Sequence, residues 1–279
     1  MGRMGVTQWW RRLTGKGGRG TDTDPATVRT AGPRSTGVSQ PTGRPGRRPQ
    51  PDASLPVMGV DACKAGWVGA VLDASGHGTP HLLVRPTVAE LVAEAGPLAV
   101  VAVHVPMGLP DETRREADVQ TRRFLGAGGT SVFSTPVREA VYAPSFGRAN
   151  QLNRERVGSG VSQQAYGLRS RILEVDAWLR QDLPFAVCEV NPEASFAQLA
   201  GGPLESRKRS AQGAEERRRV LAGGGVVVPG THPVGAGVDD VIDACAAAWS
   251  AHRVKAGQAR TFPESPETFS DGIPAAIHV

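Results

Sequence analysis

The chain is poor in cysteine, with three among 279 residues, and poor in aromatics, which make up 5% of it. Cys63, Cys188 and Cys245 sit in apolar contexts at unrelated spacings. They form no CxxC pair and their odd number speaks against a disulfide framework, so a reducing, cytoplasmic compartment is expected. With so few aromatics, no ladder for stacking single-stranded bases is visible. No apolar run approaches the roughly 18 residues of a membrane span, so no membrane insertion is expected. A secretory h-region is missing too, because Trp9-Trp10 runs at once into Arg11-Arg12.

Net charge is close to zero in the body and strongly positive ahead of it. Residues 1–55 carry ten Lys/Arg against three Asp, a net +7, whereas the whole chain is only +5 and the remaining 224 residues are near −2. This leading segment is rich in Gly, Pro, Ser, Thr and Arg and has little apolar periodicity. Such a composition does not offset its ordering entropy, so residues 1–55 are expected to form a disordered basic extension. A basic arm can attract nucleic acid or an anionic surface; it can equally be a solvated extension or reflect a misplaced start. Residues 56–279 are expected to form one domain.

Within the body, 57–61 and 67–72 read as an apolar strand pair, with His81–Arg85 as a third strand of an antiparallel meander. Thr87 is placed to cap a helix over Val88–Ala95, ended by Gly96-Pro97. Residues 98–105 form a near-continuous apolar run, the pattern of a strand buried on both faces. Residues 111–165 read as polar and loop-rich, with a charged helix over 112–125. A helix over 168–181, a buried strand over 185–190, a short helix over 214–221 and a last helix from Asp239 to about Val254 follow. This order predicts an α/β fold with a mixed sheet flanked by helices.

Carboxylates fall where such a fold would gather them. Asp61 ends the first strand, Glu189 ends the 185–190 strand with Glu193 just beyond, and Asp239, Asp240 and Asp243 open the final helix. Converging carboxylates bind hard divalent cations, Mg²⁺ or Mn²⁺ here. Two ions about 4 Å apart would activate water and stabilise the leaving oxygen in phosphodiester cleavage. Each residue also has a plainer role: Asp239 and Asp240 as helix caps, Glu189 as an arginine partner, Asp61 as a turn former.

The body resembles the DUF429 family of ribonuclease H-like nucleases. The resemblance rests on Gly59-Val-Asp-Ala-Cys-Lys-Ala-Gly-Trp67, Val105-Pro-Met-Gly-Leu-Pro110, Ala117-Asp118 with Arg122 and Arg123, and Leu125-Gly126. It continues through Ser131-Val-Phe-Ser-Thr-Pro136 with Arg138, Ser162-Gln-Gln164, Ile172-Leu-Glu-Val-Asp176 and Glu189-Val-Asn-Pro-Glu193 with Ser195-Phe196. Asp239-Asp240 with Asp243 and Trp249 close it. The resemblance implies a ribonuclease H-like sheet and a metal-dependent nuclease or hydrolase. Its metal ligands would be Asp61, Glu189, Asp239, Asp240 and Asp243, with Asp61, Glu189, Asp239, Asp240 and His104 as catalytic candidates.

Two positions depart from the family pattern. The strand before the Pro-x-Gly-Leu-Pro turn ordinarily ends in aspartate, and this chain has His104, while the histidine of the Glu-Val-His-Pro-Glu motif is replaced by Asn191. An imidazole offers nitrogen in place of oxygen, which suits Mn²⁺ or Zn²⁺ better than Mg²⁺. Three readings stay open: a metal site of altered preference, a site that has lost catalysis, or His104 as a general base or orienting group.

Basic and polar side chains suggest substrate contacts. Lys64, Arg122, Arg123, Ser131, Arg138 and Lys208 are the candidates, with Arg114, Arg115, Arg207 and Arg209 extending the two basic clusters toward a phosphate backbone. A solvated helix face explains the first cluster equally well. The functional expectation is cleavage of RNA or DNA. A catalytically inactive nucleic-acid or protein binder is the alternative, and a small-molecule phosphotransferase ranks behind both. The last rests on a faint likeness of Gly59-Val-Asp61 to an actin-type phosphate loop, in a chain too short for that fold's second half.

Overall fold

A computed structural model describes residues 49–279 together with Gln40, Pro45 and Gly46. Most of the expected basic extension therefore lies outside the described residues. Of its described part, Gly46 donates from its backbone N–H to Leu179 O at 3.2 Å, and Leu55 packs on the body's core.

Seven strands form one mixed sheet. β1 (Val57–Cys63), β2 (Gly66–Leu72) and β3 (His81–Arg85) are the antiparallel meander. β4 (Val100–Val103) and β5 (Ala186–Val190) lie parallel to β1 and to each other. Beyond β5 come β7 (Pro274–His278), parallel to it, and β6 (Thr261–Thr268), antiparallel at the edge, giving the order β3-β2-β1-β4-β5-β7-β6. The last two strands extend the expected sheet. Pro263 and Pro266 hide β6 from a strand reading, since proline cannot donate to a ladder and belongs at a sheet edge.

The period of two along β1 sorts its side chains onto two faces. Met58, Val60 and Ala62 join the core beneath α1 (Val88–Ala95) and α6 (Arg169–Trp178), with Leu91, Ile172 and Val175. Val57 and Cys63 join the opposite core, built with Phe196 of α7 (Pro192–Ala200), Leu221 of α8 (Ala211–Gly223) and the apolar residues of α9 (Val238–Lys255). Gly59 and Asp61 therefore face α9. That helix lies across β1, β2 and β4, and its Ala244, Ala246, Ala247, Ala248 and Ala251 are all buried.

Helix starts follow local chemistry. Thr87 and Glu90 form a capping box at α1, and Asn191 caps α7 ahead of Pro192 at the first helical position. Ser210 caps α8, which is longer than the expected short helix. The 111–165 stretch holds more helix than its polarity suggests. α2 (Glu116–Leu125) is followed by a 3₁₀ turn at Gly126–Ser131, then α3 (Arg138–Tyr142), α4 (Phe146–Val157) and α5 (Gln163–Gly167). Helices α3 to α5 close a small core of their own around Val137, Ala140, Ala149 and Leu152.

Candidate metal centre

Parallel strands β1, β4 and β5 end at the same edge, and open α/β sheets take ligands at such carboxyl ends. Asp61 lies near the end of β1. His104 follows β4, where its N–H donates to Val60 O at 3.0 Å and sets the ring beside Asp61. The imidazole Nδ1 lies 2.9 Å from Asp61 Oδ1. Asp243 approaches from the second turn of α9. One ligand atom from each of Asp61, His104 and Asp243 lies within 4.8 Å of the other two.

Each carboxylate is half satisfied. Asp61 Oδ1 is held by His104, and Asp243 Oδ2 accepts from the Lys208 ammonium. Asp61 Oδ2 and Asp243 Oδ1 are buried and meet no donor. A buried acceptor without a partner is costly, and a cation bound between the two would satisfy both. The donor set of two carboxylates and an imidazole fits a divalent ion that accepts both oxygen and nitrogen.

The surroundings are electrostatically tight. Burial, reinforced by Asp61, pushes Asp243 up to about 7 against the opposing Lys208 charge. Burial and the Asp61 charge push Asp240 up to about 6, although its Oδ2 accepts from Gly237 N at 2.8 Å. Burial alone would lower His104, but the charge and hydrogen bond of Asp61 outweigh it and the imidazole is raised. Burial likewise opposes the Lys208 charge, yet Asp243, Glu193 and Asp61 hold it firmly cationic.

Glu189 is not part of this cluster. Its two oxygens accept from Arg115 at 2.8 Å each, and Oε2 accepts also from Met107 N at 2.7 Å. Arg115, 1% exposed, spends its remaining donors on Asp118 and Met107 O. The Asp118 carboxylate in turn accepts from Thr135 N at 2.7 Å. Glu189 thus has the plainer of its two expected roles, as an arginine partner beside the site.

The other candidates divide as follows. Asp239 is half-buried on the cleft lining, with Arg209 Nε at 3.9 Å. Lys208 is in the site, while Lys64 is exposed at the β1–β2 turn, outside the lining. Ser131 lines the cleft and donates to Gly128 O. Arg122 is engaged by Val132 O and Ser134 Oγ, and Arg123 borders a separate depression beside Phe124 and Arg260. Arg138 is buried against Asp176 and Asp271 and is not among the residues that line the cleft. Arg115, expected in a basic cluster toward a phosphate backbone, is instead buried against Glu189 and Asp118. A readable sign was the spacing of Ala117, Thr121 and Leu125, which marks an inward face with Asp118 beside it.

Above the cluster opens a cleft of about 760 Å³, lined by Asp61, His104, Glu193 and Asp239 together with Ser131 and the Arg207-Lys208-Arg209 run. Arg207 and Arg209 are exposed, whereas Lys208 reaches inward. The arrangement joins a buried acidic floor to a basic rim, a combination suited to an anionic ligand bound through a cation. No helix among the described residues is long and apolar enough to cross a membrane.

No curated protein and no solved structure matches the chain. The family model described as "Protein of unknown function (DUF429)" matches residues 59–268, which is most of the chain, and the protein belongs to that family.

Proposed function

We propose that the protein is a metal-dependent phosphodiesterase acting on nucleic acid, built on a ribonuclease H-like sheet. The strand order β3-β2-β1-β4-β5, with β4 and β5 parallel to β1, supports that fold. The observation that carries the reading is the pair of unpartnered buried oxygens on Asp61 and Asp243 beside the His104 imidazole. Asp61, Asp243 and His104 would hold the ion, with Mn²⁺ favoured over Mg²⁺ by the nitrogen donor. A bound divalent ion supplies Lewis-acid polarisation of a phosphoryl oxygen and a more acidic water.

The chain's own residues do the rest. Arg207 and Arg209 at the rim meet phosphate charge and orient the backbone. The buried floor keeps the carboxylates in a low-dielectric setting, where their hold on a cation is strongest. Arg115 draws Glu189 away from the cluster, which leaves Asp61 as the shared acidic centre.

The test is cleavage of an RNA, DNA and hybrid panel with Mn²⁺ or Mg²⁺, beside Asp61→Asn. Stimulation by metal that vanishes in the variant is expected; protein inert on the whole panel with several metals would sink the reading. One observation favours a second reading, a binding protein without catalysis: Lys208 already places a cationic group on Asp243, and the His104 imidazole already partners Asp61. That reading calls for nucleic-acid binding indifferent to EDTA.

A further inference from the structure

A two-ion phosphodiesterase needs carboxylate oxygens for two cations, and here Asp243 Oδ2 is held by Lys208 while the neighbouring acids are committed elsewhere. Both oxygens of Glu189 are committed to Arg115, itself 1% exposed and closed in by Asp118 and Met107 O. Asp240 turns Oδ2 back to Gly237 N at 2.8 Å, and Asp239 lies on the lining toward Arg209 rather than in the cluster. What converges is Asp61, Asp243 and His104, three donors that suit one ion completed by water or substrate oxygen.

Beside that set stands a cation the chain carries itself. Lys208 donates from Nζ to Asp243 Oδ2, and its charge also acts on Asp61. Its position is built into the fold. The turn at 207–210 is closed by Ser210 N donating to Arg207 O at 2.9 Å. Gly213 abuts the turn so closely that a Cβ there would lie 2.0 Å from Arg207 O. Helix α8, which follows, is tied to α7 by Arg217 on Glu193 at 2.7 Å. An ammonium is a compact point charge with three donors, able to stand at a carboxylate where a small divalent ion would otherwise sit.

We propose that Lys208 is the resident cation of this site: its ammonium takes the place beside Asp243 that a second divalent ion would occupy, so the site binds a single ion. The inference rests on the metal-dependent reading above and refines its stoichiometry. It also assigns Lys208 to the carboxylate floor and leaves phosphate contact at the rim to Arg207 and Arg209.

The experiment is calorimetric titration of Mn²⁺ into EDTA-stripped, dialysed full-length protein, comparing wild type, Lys208→Arg and Lys208→Met. One ion per chain is expected for wild type and Lys208→Arg, and two for Lys208→Met. The first ion in Lys208→Met should bind on the order of tenfold more tightly, because a neighbouring like charge is gone. Lys208→Gln, which keeps a hydrogen-bond donor without charge, carries the same expectation should the Met variant fail to fold. Two ions in wild type, or one ion in every folded neutral variant, overturns the role of Lys208 while leaving the metal site standing. No ion bound by any form overturns the metal reading and this inference together.

Discussion

Gly59 of β1 lies directly against Ala248 of α9: a Cβ added at Gly59 would stand 2.0 Å from the Ala248 nitrogen and 2.1 Å from Ala244 O. That contact fixes how closely the helix approaches the sheet, and two residues along β1 the same face presents Asp61 to Asp243. The close approach that packs the core thus also assembles the site. Gly59→Ala must push backbone from backbone, with no flexible side chain to yield. It should cost at least about 3 kcal/mol in urea unfolding. Where the variant still folds, its Mn²⁺ affinity should fall together with its stability. A loss under about 1 kcal/mol would show that α9 slides at little cost.

Glu189 and Asp61 should separate cleanly on substitution. Asp61→Asn removes charge from the cluster and should cost most of the Mn²⁺ affinity. Glu189→Gln should leave that affinity within about twofold, yet destabilise the fold by about 3 kcal/mol or more. Its loss leaves Arg115 a buried charge with only Asp118 to balance it. Isothermal titration beside chemical denaturation reads both quantities. Metal affinity lost equally in the two variants would put Glu189 back among the ligands.

Much of this was legible in the chain. The apolar run before Asp61 and the acidic start of α9 mark both as site candidates, whereas the place of residue 104 beside Asp61 follows only from the family resemblance. The partner of Glu189 was not legible, because Arg115 lies 74 residues away and reaches it only through the turn after β4. Periodicity reports which face is inward, never which inward charge finds which. β7 was hidden for a related reason: Pro-Ala-Ala-Ile-His is too short and too alanine-rich to read as a strand until β5 supplies its ladder.

Asp240 gives the fold a pH dependence of defined sign. Burial, then the Asp61 charge, raises its carboxyl from 3.8 to about 6, so the folded state holds this proton more tightly than the unfolded chain. Its contribution to stability is complete below 3.8 and is lost as pH rises through about 6. Asp240→Asn keeps an acceptor for the Gly237 N–H and removes the buried charge. In EDTA at pH 8 the variant should be more stable than wild type by about 1–3 kcal/mol, with the gap closing toward pH 4. Thermal melts at the two pH values check this, and a variant less stable at pH 8 would mean that the cap outweighs the charge.

The two arginine clusters should behave oppositely toward nucleic acid. Arg207 and Arg209 stand exposed on the rim of the acidic cleft, whereas Arg122 is spent on Val132 O and Ser134 Oγ and Arg123 borders a different depression. Arg207→Ala with Arg209→Ala should weaken binding of a labelled oligonucleotide across sequences. Each lost phosphate contact should lower the slope of log affinity against log salt by about one. Arg122→Ala with Arg123→Ala should leave the slope unchanged. Both pairs are compared in the full-length chain, so that any attraction exerted by the basic segment before residue 56 is common to all forms and cancels in the difference. Equal slopes for wild type and the Arg207/Arg209 variant would mean that the rim does not meet the backbone, and that affinity comes from that segment alone.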